Sequence, residues 1–261
     1  MESFLIFAVI GIAAGVTAGL LGVGGGIIMV PAVLFVLLSS GISESVAVHM
    51  SVGTSLSVIA VTGLSSAYGH WQRGSVNRSI LFLLIPGLLV GAVLGGVVAD
   101  AVSGTYLRRA FGIFVIVVGL KMLINTGLSF RRLKPSGWIV GGSGTVIGGV
   151  SAFFGVGGGI LSVPWLQYIG IEMREAIGTS AACGVPIALA GALTFIVMGR
   201  GLDTGTSYSL GYVFWPASLM LGVFTIPFAR IGVGIAHRVP QKSLKKVFGL
   251  LLLSVGCYLV I

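Results

Sequence analysis

Long apolar runs separated by short polar breaks recur along the entire chain. In the first half they fall at 3–21, 26–40, 46–67, 79–99 and 107–126. In the second half they fall at 137–154, 159–170, 176–198, 209–229 and 244–261. Crossing a bilayer as a helix takes about 20 mostly apolar residues. Eight of the ten runs approach that length, whereas 26–40 and 159–170 are short. The pattern predicts an all-α polytopic membrane protein. The first run is expected to be retained, because the chain opens with Glu2 instead of a basic cluster and shows no small-residue cleavage site.

The runs are organised as two copies of one unit. Residues 22–31 read GVGGGIIMVP and residues 155–164 read GVGGGILSVP, identical at eight of ten positions and 133 residues apart. Gly53-Thr54-Ser55 returns as Gly178-Thr179-Ser180, 125 residues on. LRRAFG at 107–112 is echoed by LKKVFG at 244–249. The order of the three matches is preserved, as duplication requires. We expect a first transmembrane repeat at 1–126, a basic cytoplasmic linker at 127–136 and a second repeat at 137–261. Five segments per copy is an odd number, so the second copy is expected to be inverted relative to the first. Treating 3–40 and 137–170 as re-entrant hairpins leaves that parity unchanged. Inverted repeats are a recurrent transporter plan, with the substrate site near mid-membrane at their interface.

Composition agrees with lipid as the solvent. Apolar residues make up 56% of the 261 positions and charged residues 8%, where a soluble domain carries about a quarter charged. The net charge of +9 is read as a topology signal, since cytoplasmic loops collect Lys and Arg. With the N-terminus outside, 12 of the 15 basic residues fall on inside stretches, including Arg131, Arg132, Lys134, Arg174 and Arg238. Both termini are then outside an inner membrane. The basic residues are split among short loops, which argues against a nucleic-acid partner. Cys183 and Cys257 both lie in apolar segments, with no disulfide framework, metal-ligand spacing or cofactor motif.

The chemistry centres on the repeated glycines. Each GVGGG lies between apolar segments without a nearby charge, so a broken or re-entrant helix is expected within membrane depth. Irregular backbone is tolerated there when protein buries it or it lines a cavity. The helix after each motif begins with free N–H groups at the positive end of its dipole, an arrangement suited to anions. Gly24, Gly25, Gly26, Gly157, Gly158 and Gly159 are the candidate substrate-binding residues. The competing role for the same glycines is close helix packing. The pattern lacks a P-loop lysine and is not GxGxxG.

The doubled G-x-G-G-G-x-x-x-x-P motif, the Gly-Thr-Ser that follows it and the length near 260 residues resemble the sulfite exporter TauE/SafE family, over essentially the whole chain. The resemblance implies a membrane transporter and a small sulfur-containing anion such as sulfite, thiosulfate or a sulfonate as substrate. Thr54, Ser55, Thr179 and Ser180 then offer hydroxyl donors to its oxygens, unless they bond back to their own helices. His49 and Arg174 occupy matching positions 125 residues apart, one at each mouth. Arg174 has Glu172 and Glu175 as neighbours, so a local ion pair is expected there. His49 is the candidate for proton coupling. Cys183 and Pro186 are candidates for coupling or gating: the proline is expected to disturb its helix, where the thiol could contact a sulfur substrate, and the competing role for the buried thiol is an apolar filler.

No Asp or Glu falls inside a segment, so a carboxylate proton relay is not expected. A secondary transporter, with a proton or other ion as possible coupling partner, is the leading function. An anion channel uses the same scaffold. An integral-membrane enzyme lacks a catalytic constellation, because the three histidines His49, His70 and His237 are scattered.

Overall fold

The computed structural model describes residues 2–124, 137–236 and 241–260. The expected linker, with Arg131, Arg132 and Lys134, and the later Arg238 and His237 lie outside the described residues. The described chain is almost wholly helical. Its helices are α1 (Glu2–Leu21), α2 (Gly26–Ser39), α3 (Glu44–Gln72), α4 (Arg78–Asp100) and α5 (Gly104–Ile124), then α6 (Gly137–Phe153), α7 (Gly159–Tyr168), α8 (Met173–Met198), α9 (Trp215–Ala236) and α10 (Gln241–Val260). Among the described residues, α3, α4, α8 and α9 are each long and apolar enough to cross a membrane. Shorter apolar helices accompany them, and the whole is a multi-pass membrane protein.

Helix length separates the two short segments from the rest. At about 1.5 Å per residue, the 14 residues of α2 reach about 21 Å and the 10 of α7 about 15 Å. Neither spans the roughly 30 Å of hydrocarbon alone. Both start directly after a glycine in the left-handed region, Gly25 at φ 81° and Gly158 at φ 77°. A residue with a Cβ pays a steric penalty there, so these glycines permit the turn between α1 and α2 and between α6 and α7.

The ninth segment departs from expectation. The run at 209–229 begins with a hairpin, β1 (Ser209–Leu210) and β2 (Val213–Phe214), and α9 starts only at Trp215. The strands pair Ser209 with Phe214 and Leu210 with Val213, antiparallel. Gly211 opens the two-residue turn at φ 55°, a conformation suited to tight hairpins. Hydrophobicity continues through the turn, which is why the pattern reads as one segment.

Small residues govern the packing. Helix α1 lies along α9 and α6 lies along α4. A Cβ on Gly15 would stand 2.7 Å from the Thr225 carbonyl oxygen, and one on Gly144 would stand 2.8 Å from that of Leu84. Lipid supplies no hydrophobic force between helices, so close backbone approach and dispersion hold such pairs together. At the centre α3 packs on α8. Gly53 meets Phe195 and Gly63 meets Val185, so the two helices run antiparallel. Large apolar side chains such as Phe82, Leu94, Leu219 and Val223 point outward, while Thr54, Ser55, Thr179 and Ser180 are fully buried.

Candidate functional site

The two glycine turns meet. A Cβ on Gly24 would lie 3.2 Å from Gly157 Cα, and one on Gly157 would lie 3.1 Å from Gly24 Cα. A Cβ on Gly26 would run into the Gly155 carbonyl, and one on Gly159 into that of Gly22. Gly24 and Gly157, 133 positions apart, therefore face each other, and the pairs Gly22–Gly159 and Gly26–Gly155 meet on either side of them as backbone on backbone. The close approach itself demands glycine at these positions, whatever else they do.

The N-termini of α2 and α7 begin at this junction. Ile28 and Met29 donate their N–H groups to Gly25 O, and Leu161 and Ser162 donate theirs to Gly158 O. Among the described residues, no protein acceptor takes the N–H groups of Gly26 and Ile27 or of Gly159 and Ile160. These are the first-turn donors that a helix always leaves over. No charged side chain takes part in the contacts made by these glycines.

The hydroxyls of the Gly-Thr-Ser triplets have protein partners. Ser55 donates to Gly155 O at 2.9 Å and Ser180 to Gly22 O at 3.2 Å. Thr54 Oγ1 accepts from Phe214 N–H at 2.9 Å, and Thr179 Oγ1 accepts from Asn77 N–H at 2.8 Å. The structure brings all ten candidate substrate-binding residues to one belt around the glycine junction and its two flanks.

Three neighbours of that belt escape sequence reasoning. Ile59 fills the space beside the turns, with its Cγ2 2.8 Å from a Cβ on Gly24 and 3.0 Å from one on Gly157. The register of 125 that carries Thr54 to Thr179 carries Ile59 to Gly184. A Cβ on Gly184 would stand 2.7 Å from Gly157 O. Ser162, whose counterpart by the register of 133 is Met29, sits 2.7 Å from the Ser180 hydroxyl and donates to Gly158 O at 2.9 Å. The motif offsets link Ile59 to Gly184 and Ser162 to Met29, residues of unlike chemistry, so motif matching passes over all three.

The remaining candidates are separate. His49 is buried, with Nδ1 2.7 Å from Ser45 O and Nε2 3.0 Å from Ala99 O and 3.1 Å from Val102 O. Its ring stacks on Tyr212 at 5.2 Å between centroids. The Tyr212 phenol is pushed up to about 12, first by burial and then by the adjacent Asp100 carboxylate. Asp100 ends α4 beside this ring. Arg174 is exposed on a groove of about 550 Å³ with Arg73, Gly74, Ser75, Glu172 and Glu175. The expected local ion pair is not formed. Glu175 instead accepts from Asn77 Nδ2 at 2.8 Å, and among the described residues the ion pair joins Arg108 Nε to Glu44 Oε1 at 3.0 Å. Cys183 is fully buried in an apolar cluster with Ile187 and Leu84. Helix α8 continues through Pro186 without a break.

Comparison with known proteins places the chain. The family model described as sulfite exporter TauE/SafE matches residues 7–259. A "Probable membrane transporter protein" of Haemophilus influenzae is 31% identical, covering 97% of this chain and 96% of its own length. Proteins of the same description from Methanocaldococcus jannaschii and Bacillus subtilis are each 25% identical, covering 98% and 99% of this chain. No solved structure matches it.

Proposed function

The chain belongs to the sulfite exporter TauE/SafE family, and from that premise we propose that it is a secondary transporter of small sulfur-containing anions across the inner membrane. Its two copies are inverted repeats, with both termini on the outer side. The anion is held between the N-termini of α2 and α7, where Gly24, Gly25, Gly26, Gly157, Gly158 and Gly159 supply backbone amides. Thr54, Ser55, Thr179 and Ser180 support this junction. The halves rock so that the site faces each side in turn, and His49 couples a proton. Arg174 marks the opposite mouth, and Cys183 and Pro186 are assigned to coupling or gating on α8.

The observation that carries the proposal is the meeting of Gly24 with Gly157. Two helix N-termini with unclaimed N–H groups converge there, buried from water. Helix-end amides stabilise an anion without a charged side chain. Transporters with discontinuous helices use such ends for anionic substrate groups.

The test is uptake of radiolabelled sulfite, thiosulfate and a simple sulfonate into proteoliposomes, with and without a pH gradient. Gly25→Leu and Gly158→Leu are run beside Ser162→Ala, a milder change at the same junction, after each is shown to be folded. Saturable uptake with counterflow of one anion, lost in the glycine variants and weakened in Ser162→Ala, is the expected result. Flux without saturation or counterflow assigns a channel. No flux of any of these anions from folded wild-type protein removes the substrate class.

A further inference from the structure

The Gly-Thr-Ser triplets make the same three contacts twice, each with the opposite half of the chain. At Gly53 a Cβ would stand 2.9 Å from Tyr212 O, so the glycine lets the 209–214 hairpin lie on α3. Thr54 then accepts the Phe214 N–H, and Ser55 donates to the glycine turn at Gly155. At Gly178 a Cβ would run into Ser75 O, so the loop between α3 and α4 lies on α8. Thr179 accepts the Asn77 N–H, and Ser180 donates to the turn at Gly22. Each triplet clasps a loop at one flank and a glycine turn at the other.

The clasps stand at opposite ends of the central helix pair. Because α3 and α8 are antiparallel, Thr54 sits near the end of α8, whereas Thr179 sits beside Asn77, past the end of α3. The 18 residues from Thr54 to Gln72, where α3 ends, rise about 27 Å along that helix. Both clasps are closed in this structure.

We propose that Thr54 and Thr179 are the paired gate latches of the transporter. Release of the Thr54–Phe214 bond opens the path at the hairpin end, and release of the Thr179–Asn77 bond opens the path at the other. The inference rests on alternating access as proposed above. It adds which residues hold each face shut, and that the hairpin and the α3–α4 loop are the moving covers. Besides the bond to threonine, the hairpin is held by the Tyr212 N–H to Phe195 O at 3.2 Å, by the Tyr212 ring against His49 and Phe195, by the Tyr212 hydroxyl at Asp100 and by Gly211 lying on the Ile196 carbonyl. The opposite loop is attached by Asn77 Nδ2 to Glu175. Each cover is held by a small set of specific contacts, and loss of one buried hydrogen bond among them shifts the open population measurably.

The experiment is one-sided labelling with a membrane-impermeant maleimide in a Cys183→Ala, Cys257→Ala background. The reporters are Ser51→Cys and Ala176→Cys, buried positions one turn before each threonine. Thr54→Val is expected to raise labelling of Ser51→Cys about five- to tenfold, the shift that one ordinary hydrogen bond produces, and to lower that of Ala176→Cys. Thr179→Val reverses both changes. Thr54→Ser, which keeps the acceptor oxygen, restores the wild-type pattern. Gly53→Ala and Gly178→Ala lift the same loops from their other contact and should give the same opposed shifts if a valine variant misfolds. Rates that rise together report general loosening and overturn the proposal, as do rates that do not change. Labelling needs no substrate, so opposed shifts without anion uptake keep the latches and remove the substrate reading. Uptake without opposed shifts removes the latches alone.

Discussion

Ser55 of α3 donates its hydroxyl hydrogen to the carbonyl of Gly155, 100 residues away in the second glycine turn, at 2.9 Å. The bond is returned from the other half by Ser180 to Gly22. In each case a buried carbonyl on an irregular stretch obtains a donor that no helix supplies. In a low-dielectric interior such a group is costly to leave unpaired. The two serines therefore hold in place the turns from which α2 and α7 start.

Removal of either hydroxyl should be felt throughout the junction. Ser55→Ala and Ser180→Ala are each expected to cost about 1–3 kcal/mol, the penalty for a buried acceptor left without its donor. The double variant should lose more than either single one. Retention of the monodisperse peak after graded heating in detergent measures this. Equal stability of Ser55→Ala and wild type would show that water replaces the lost donor.

Glycines at the junction and at the periphery should respond oppositely to one added methyl. In Gly26→Ala the Cβ runs into the Gly155 carbonyl and stands 2.9 Å from Ile59 Cδ1. Overpacking against backbone costs about 1–3 kcal/mol or more. In Gly142→Ala nothing lies within 4 Å of the new Cβ, and alanine is favoured over glycine inside a helix by roughly 0.5–1 kcal/mol. Folded yield should fall for the first and hold or rise for the second.

Besides the Leu81 N–H that its carbonyl accepts, Asn77 carries three bonds at once. Its N–H reaches Thr179, its Nδ2 reaches Glu175, and its Oδ1 accepts from Ile80 N–H at 3.1 Å as the cap of α4. Ser is a comparable N-cap but cannot reach Glu175 with an amide. Asn77→Ser should therefore be intermediate in thermal stability between wild type and Asn77→Ala, with the alanine variant down by about 1–2 kcal/mol or more.

Tyr212 should ionise late. Burial, and after it Asp100, raise its phenol from 10 to about 12. The tyrosinate absorbance titration of wild type minus that of Tyr212→Phe should have its midpoint well above 10. The folded value lies above the unfolded one, so this tyrosine's contribution to stability is intact below pH 10 and is lost as pH rises from there through about 12. Tyr212→Phe should flatten that alkaline loss. A difference titration centred at the ordinary phenol value would place Tyr212 in water.

The sequence by itself determined where the apolar helices lie, that α2 and α7 are short, and which residues correspond between copies. The first two are local, since hydrophobic run length and the glycine before each short helix are carried in neighbouring letters, and the correspondences follow from matching motifs 125 or 133 positions apart. It also marked the residues around the glycine junction, because the GVGGG and Gly-Thr-Ser motifs each occur twice.

Only the tertiary structure decided what those residues touch. Thr54 meets Phe214 across 160 positions and Thr179 meets Asn77 across 102, and no local pattern contains such distances. The hairpin at 209–214 was illegible, because its turn depends on the positive φ of Gly211 inside an unbroken apolar run. The placement of Asp100 beside Tyr212 and the missing ion pair at Arg174 were hidden for the same reason. A charged side chain takes the partner that packing brings to it, and in this fold that partner comes from a distant helix: Glu44 pairs with Arg108, and Glu175 with Asn77.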